Sequence, residues 1–246
     1  MMYLDRMQQH CWKGFQRKMK ILEARQLTKT YTIEDRQITI LDNISFTVPA
    51  GHFVVIEGPS GSGKSTLLTL LSGLDRPDSG TVLIHDTDIT YMNEDELAPL
   101  RNETLGFVFQ SFHLVPSLTA LENVMFPAEL KKDKQALEKA EILLKSVGLE
   151  QRRLNYPHQL SGGEKQRVAI CRAMINDPAL IFADEPTGNL DSENSRAILQ
   201  VLLKLRRERG STLILVTHSA EIAAMADRKI TLKDGRIEGL NQDGQD

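Results

Sequence analysis

One nine-residue stretch constrains this chain more than any other: Gly58-Pro59-Ser60-Gly61-Ser62-Gly63-Lys64-Ser65-Thr66. It matches G-x-x-x-x-G-K-[ST] in full. It follows the apolar run Phe53-Val54-Val55-Ile56 and leads into a helical pattern over residues 67–72. Strand, glycine-rich loop and helix in that order are the context a P-loop requires. The glycines let backbone N–H groups curl around a phosphate with no Cβ in the way. The helix N-terminus adds partial positive charge. Lys64 has the reach for β- and γ-phosphates, and the Ser65 hydroxyl suits Mg²⁺. These residues therefore predict binding of a nucleoside triphosphate.

The rest of the chain alternates β-rich and helical patterns, which argues for an α/β fold with parallel strands. Strands are expected over 21–31, 38–48, 81–84 and 106–109. From about 111 to 177 the pattern turns mainly helical, with segments at 121–130, 134–147 and 164–175 punctuated by Pro116, Pro127 and Pro157. This reads as a helical subdomain inserted into a core spanning 21–240. Alternation resumes with Leu180-Ile181-Phe182-Ala183, a helix over 192–209 and a strand over 212–216. A hairpin over 228–232 and 236–238 turns at Asp234-Gly235, and a polar tail follows over 241–246.

Charge and hydropathy exclude other classes. With 33 acidic and 30 basic residues the net charge is −3, so overall balance offers no argument for nucleic-acid binding. The longest apolar runs are strand-sized, so a membrane role must be peripheral, through a partner. The two cysteines, Cys11 and Cys171, do not have a metal-ligand spacing. They fit a reducing compartment, with Cys171 as a small buried hydrophobe. Residues 1–20 carry five basic side chains against Asp5, with Trp12 and Phe15 among them. They read either as a basic membrane-surface arm or as a loose extension upstream of a start at Met19.

Three further groups carry chemistry. Asp184-Glu185 closes the apolar strand Leu180-Ile181-Phe182-Ala183. Asp184 is then the expected Mg²⁺ partner of the P-loop, and Glu185 is placed to polarise a water against the γ-phosphate. Gln110 and His218 also end strand-like runs, so with Lys64 they converge on the carboxyl edge of a parallel sheet. In Leu160-Ser161-Gly162-Gly163-Glu164-Lys165-Gln166-Arg167, Ser161 and Glu164 have capping-box spacing. Gly162 and Gly163 at a helix N-terminus also offer a second anion site.

Taken in order, these segments resemble the ATP-binding-cassette (ABC) ATPases. Residues 58–66 are similar to the family's Walker A motif, Gln110 to its Q-loop glutamine and 160–167 to its signature. Residues 180–185 resemble Walker B, Asn189-Leu190-Asp191 the D-loop and His218 the switch histidine. Tyr31 stands where the family stacks an aromatic on adenine, although a core tyrosine is the competing reading. The resemblance covers about 21–238 and implies a P-loop NTPase of ABC type. Its parts would be a RecA-like parallel-sheet core, an antiparallel β subdomain and an inserted helical subdomain.

It also implies ATP and Mg²⁺ as cofactors, with Ser65, Gln110 and Asp184 toward the metal. It implies a head-to-tail homodimer in which Ser161 and Gly163 serve the γ-phosphate of the second copy's nucleotide, with Gly162 and Asp191 also among the nucleotide-binding residues. Residues 70–75, 106–116, 121–124 and 183–191 together resemble the ATPases of lipoprotein-releasing and macrolide-export systems. The partner implied is a separate permease, contacted near Phe112, His113, Leu114, Val115 and Pro116, at the cytoplasmic face of a bacterial inner membrane. A regulatory or cell-division ATPase that drives a membrane partner without moving a substrate is the alternative.

Overall fold

In the computed structural model, which describes residues 20–241, the chain opens on a long antiparallel hairpin. Strand β1 (Lys20–Ile33) turns through Glu34 and Asp35 into β2 (Arg36–Pro49). Both turn residues carry positive φ, 46° and 64°, as a two-residue hairpin of right-twisted strands demands. Residues 1–19 and 242–246, where the basic arm and most of the polar tail are expected, lie outside the described residues.

The chain forms two compact units. One comprises the chain through Leu97 and from Thr212 onward; the other is Ala98–Ser211. In the first unit, β4 (Ser79–Ile84) and β5 (Thr87–Asp88) join the hairpin in a four-stranded antiparallel sheet ordered β2-β1-β4-β5. The β4–β5 turn, His85-Asp86, again has positive φ at both residues. Beside this sheet runs β3 (Phe53–Glu57), paired in parallel with β8 (Thr212–Thr217) and with β9 (Arg228–Lys233); β10 (Arg236–Asn241) returns antiparallel to β9. Every residue of β8 and all but the last of β3 are buried, as expected of parallel strands covered on both faces. Helix α1 (Lys64–Leu71) follows β3 and buries Leu67, Leu68, Leu70 and Leu71.

Helix α2 (Glu94–Thr104) carries the chain into the second unit, where β6 (Leu105–Phe109) pairs in parallel with β7 (Leu180–Asp184). Between them lie α3 (Ala120–Leu130), α4 (Ala136–Ser146), two short 3₁₀ turns and α5 (Gly162–Met174); α6 (Ser192–Arg209) follows β7. Helix starts follow side-chain chemistry. Thr119 with Glu122 and Ser161 with Glu164 form capping boxes at α3 and α5, and the Asp191 carboxylate caps α6. Phe107 stacks on Phe182 across the strand pair with ring centroids 5.9 Å apart, and Phe182 is fully buried.

Candidate functional site

In the first unit, the glycine-rich loop leaves the carboxyl end of β3 and closes on α1. Gly58 has no room for a side chain: a Cβ there would stand 2.0 Å from the Leu232 carbonyl oxygen of β9. Gly63, with φ 96°, is the N-cap of α1 and packs against the Ile40 carbonyl of β2, which a Cβ would approach to 2.8 Å. Only glycine fits either place. The turn of the last hairpin joins in, with Gly235 N–H donating to the Ser62 carbonyl at 3.3 Å.

The loop has the properties of an anion cradle. Helix α1 starts without a side-chain cap and without an acidic residue in its first turn, so its N-terminal dipole is not neutralised locally. The Ser62 hydroxyl is buried, 3% exposed, with no hydrogen-bond partner. An orphaned buried donor in a loop of this shape fits a phosphate oxygen. Lys64 folds back over the loop, its Nζ donating to the Gly58 carbonyl at 2.9 Å and the Pro59 carbonyl at 2.8 Å. Two of its three donors are thereby anchored.

Two more expected residues belong to this unit. His218 directly follows β8, the parallel neighbour of β3, so it leaves the sheet at the same edge as the loop. Tyr31 lies near the end of β1 and is 39% exposed, too open for a core tyrosine. Its hydroxyl donates to Asp75 Oδ2 at 2.9 Å, and the Lys29 ammonium sits 5.1 Å from its ring centroid.

In the second unit, β6 and β7 bring Gln110 and the acidic pair together. Phe109 is in register with Asp184, so Gln110 and Glu185 leave the pair side by side. Glu185 adopts φ 44°, a left-handed backbone unusual for glutamate, at the sharp exit from β7. Gln110 Nε2 donates to Asn189 Oδ1 at 3.1 Å, and Asn189 Nδ2 donates to the Gln110 carbonyl at 3.1 Å. The capping box at Ser161 is formed: Glu164 N–H donates to Ser161 Oγ at 3.3 Å, and Ser161 N–H donates to Glu164 Oε2 at 2.8 Å. That backbone N–H, helped by the Ser161 hydroxyl and Arg152, outweighs partial burial and holds the Glu164 carboxyl below its usual range. Gly162 faces Leu190 and Gly163 faces Asn194. Asp191 accepts from Asn194 N at 2.9 Å and Nδ2 at 2.6 Å.

The segment after Gln110 is held by groups that sequence reading did not single out. Phe112 and His113 both have positive φ, 60° and 48°. The Arg172 guanidinium of α5 donates to the His113 carbonyl at 2.5 Å and the Phe112 carbonyl at 2.9 Å. Burial pulls the Arg172 pKa down. Asn123, fully buried in α3, accepts from Val115 N–H at 2.8 Å and donates to the carbonyls of Val115, Leu118 and Thr119. Leu114 is half-buried, while Val115 and Pro116 are exposed.

A family model described as "ABC transporter" matches residues 41–188. The macrolide export ATP-binding/permease protein MacB of Chlorobaculum tepidum is 48% identical over 224 residues, 88% of this chain and 33% of that protein. The lipoprotein-releasing system ATP-binding protein LolD of Cytophaga hutchinsonii is 46% identical over 220 residues, 89% of this chain and 99% of the relative. The chain thus spans a third of the MacB protein and nearly all of LolD. Among solved structures, the dimeric ATP-binding cassette MJ0796, in a post-hydrolysis state bound to ADP and Pi, superimposes with a TM-score of 0.84 at 41% identity. The match covers 92% of this chain and 100% of that one.

Proposed function

The chain belongs to the ABC transporter family of ATP-binding ATPases, and from that premise we propose that it powers a bacterial export or lipoprotein-release system as a homodimer on a separate permease. The observation that carries this reading is the phosphate cradle: an uncapped helix start, the orphaned Ser62 hydroxyl and Lys64 anchored across its own loop. No helix among the described residues is long and apolar enough to cross a membrane, and the proposal assigns the spans to the partner. The protein would work at the cytoplasmic face of the inner membrane.

In this reading each residue has a task. Gly58, Pro59, Ser60, Gly61, Ser62, Gly63 and Thr66 wrap the phosphates with backbone and hydroxyl donors. Lys64 brings positive charge to the β- and γ-phosphates. Ser65, Gln110 and Asp184 are hydroxyl, amide and carboxylate oxygens, a hard donor set that suits Mg²⁺ shared with phosphates. Bound there, Mg²⁺ neutralises charge on the phosphate oxygens. Glu185 orients and polarises the attacking water, and His218 contacts the γ-phosphate. Ser161, Gly162 and Gly163 face the nucleotide of the second copy, near Asp191. ATP then favours the closed dimer and drives the permease by differential affinity.

The test is Glu185→Gln. With the carboxylate gone, phosphate release should fall at least about a hundredfold while ATP binding persists. Size-exclusion chromatography with ATP should show an accumulated dimer. Parental turnover in this variant would overturn the assigned role, and a monomer at saturating ATP would overturn the dimer.

A further inference from the structure

The turn that follows the P-loop helix grips the strand that carries Tyr31. Thr69 of α1 accepts from the backbone N–H groups of Leu74 and Asp75 at 3.0 and 3.2 Å, so Asp75 is tied directly to that helix. From there the turn reaches across to β1. Asp78 Oδ2 accepts from Thr30 N–H at 2.7 Å, and Asp78 N–H donates to the Thr28 carbonyl at 2.9 Å. Asp75 takes the side chains. One of its oxygens accepts from the Tyr31 hydroxyl at 2.9 Å, and its carboxylate pairs with Lys29 at 2.9 Å. Lys29 is only 8% exposed and donates as well to the Arg76 carbonyl at 2.6 Å.

The protonation states suit this arrangement. Burial, with the Asp75 contact adding to it, lifts the Tyr31 hydroxyl above its ordinary range, so the phenol keeps the proton it donates. Burial also works to raise Asp75, but the bonds from Lys29, the Arg76 N–H and Tyr31 prevail and hold it below the usual carboxylate range. A half-exposed tyrosine on a strand end has ring freedom to lose on binding. Here the hydroxyl is tethered and one face lies under a cation, which leaves the opposite face for a stacked base.

We infer that Asp75 is a positioning residue for nucleotide binding, holding the Tyr31 ring as a base platform in fixed relation to the P-loop helix. This rests on reading Tyr31 as the group that stacks on the base. It goes beyond that reading by naming what orients the ring. It also makes one segment, α1 with its following turn, responsible for both the phosphate and the base ends of the ligand.

The test compares two ligands by calorimetry on the full chain: ATP, and inorganic tripolyphosphate, which has no base. Tyr31→Ala should weaken ATP roughly tenfold or more, the usual worth of a stacked base. Asp75→Ala and Tyr31→Phe should each weaken ATP about three- to tenfold, the worth of one ordinary hydrogen bond, because the bond orients the ring and does not touch the ligand. All three should bind tripolyphosphate as the parent does. Asp75→Asn retains an acceptor for the hydroxyl and should recover most of the ATP affinity. The double variant Tyr31→Phe/Asp75→Ala should be no worse than either single one, because both remove the same bond.

Equal losses for ATP and tripolyphosphate, additive losses in the double variant, or parental ATP affinity in both Asp75→Ala and Tyr31→Phe would each overturn the inference. Should Asp75→Ala fail to fold, Tyr31→Phe and Asp75→Asn carry the same comparison. Parental ATP affinity in Tyr31→Ala would instead remove the base platform itself, and this inference with it.

Discussion

Gln110 and Asn189, 79 residues apart in the chain, hold each other through two reciprocal hydrogen bonds of 3.1 Å. Because Gln110 donates an amide N–H to Asn189, the orientation of its amide is set, with the oxygen on the other side. Gly188 enforces the fit: a Cβ there would lie 2.8 Å from Gln110 Nε2. Asn189→Ala removes both bonds and should lower ATPase activity at least about fivefold, and Gly188→Ala as much. Both positions are exposed, so the melting temperature should move by no more than about 2 °C. Steady-state phosphate release and a thermal melt check both halves. Parental activity in both variants would remove the pair from the mechanism.

Lys64→Ala deletes an ammonium already anchored by two carbonyls. ATP affinity should fall roughly ten- to a hundredfold, the range for a lost charge-assisted contact. A titration with a fluorescent ATP analogue measures it. Affinity within twofold of the parent would mean the anchored geometry is not the binding geometry.

Leu114→Asp places a charge on the half-buried segment that Arg172 and Asn123 hold. ATP binding and basal hydrolysis should persist. Stimulation by the permease, assayed in reconstituted vesicles, should drop at least about fivefold if this segment is the docking surface. Undiminished stimulation would move the docking surface elsewhere.

Asn123→Ala should be the most damaging of these changes to stability. The side chain is fully buried and satisfies one N–H and three carbonyls. Losing it strips the Val115 N–H and the Leu118 carbonyl of their partner, while the Val115 and Thr119 carbonyls keep backbone bonds from Leu118 and residue 123, and should cost about 2–4 kcal/mol. Urea unfolding reads this directly, and a cost under about 1 kcal/mol would mean water replaces the side chain.

Local patterns were legible where the cause is local. The P-loop, the Ser161–Glu164 box and the helix over residues 192–209 each lie within a few turns of chain, and α6 has those very bounds. Strand β1 was read two residues short at its far end, because nothing in Thr32 or Ile33 marks where the hairpin turns. Helix α2 was not read at all; Pro99 sits inside it and only Leu97 is buried, so its apolar period is weak. The partners of site residues were the least visible. Tyr31 finds Asp75 44 residues away, and Arg172 finds Phe112 60 away. Sequence carries no local sign of such pairs.

The close approach of Gly58 to Leu232 has a consequence for synthesis. Strand β3, which feeds the phosphate loop, lies between β8 and β9, and both are made more than 150 residues later. A ribosome releases Gly58 long before the carbonyl that backs it exists. The motif a reader meets early in the chain is therefore among the last parts that can take shape. Until the final hairpin emerges, a nascent chain has the loop's residues but not its wall, so nucleotide cannot serve as an early template for folding.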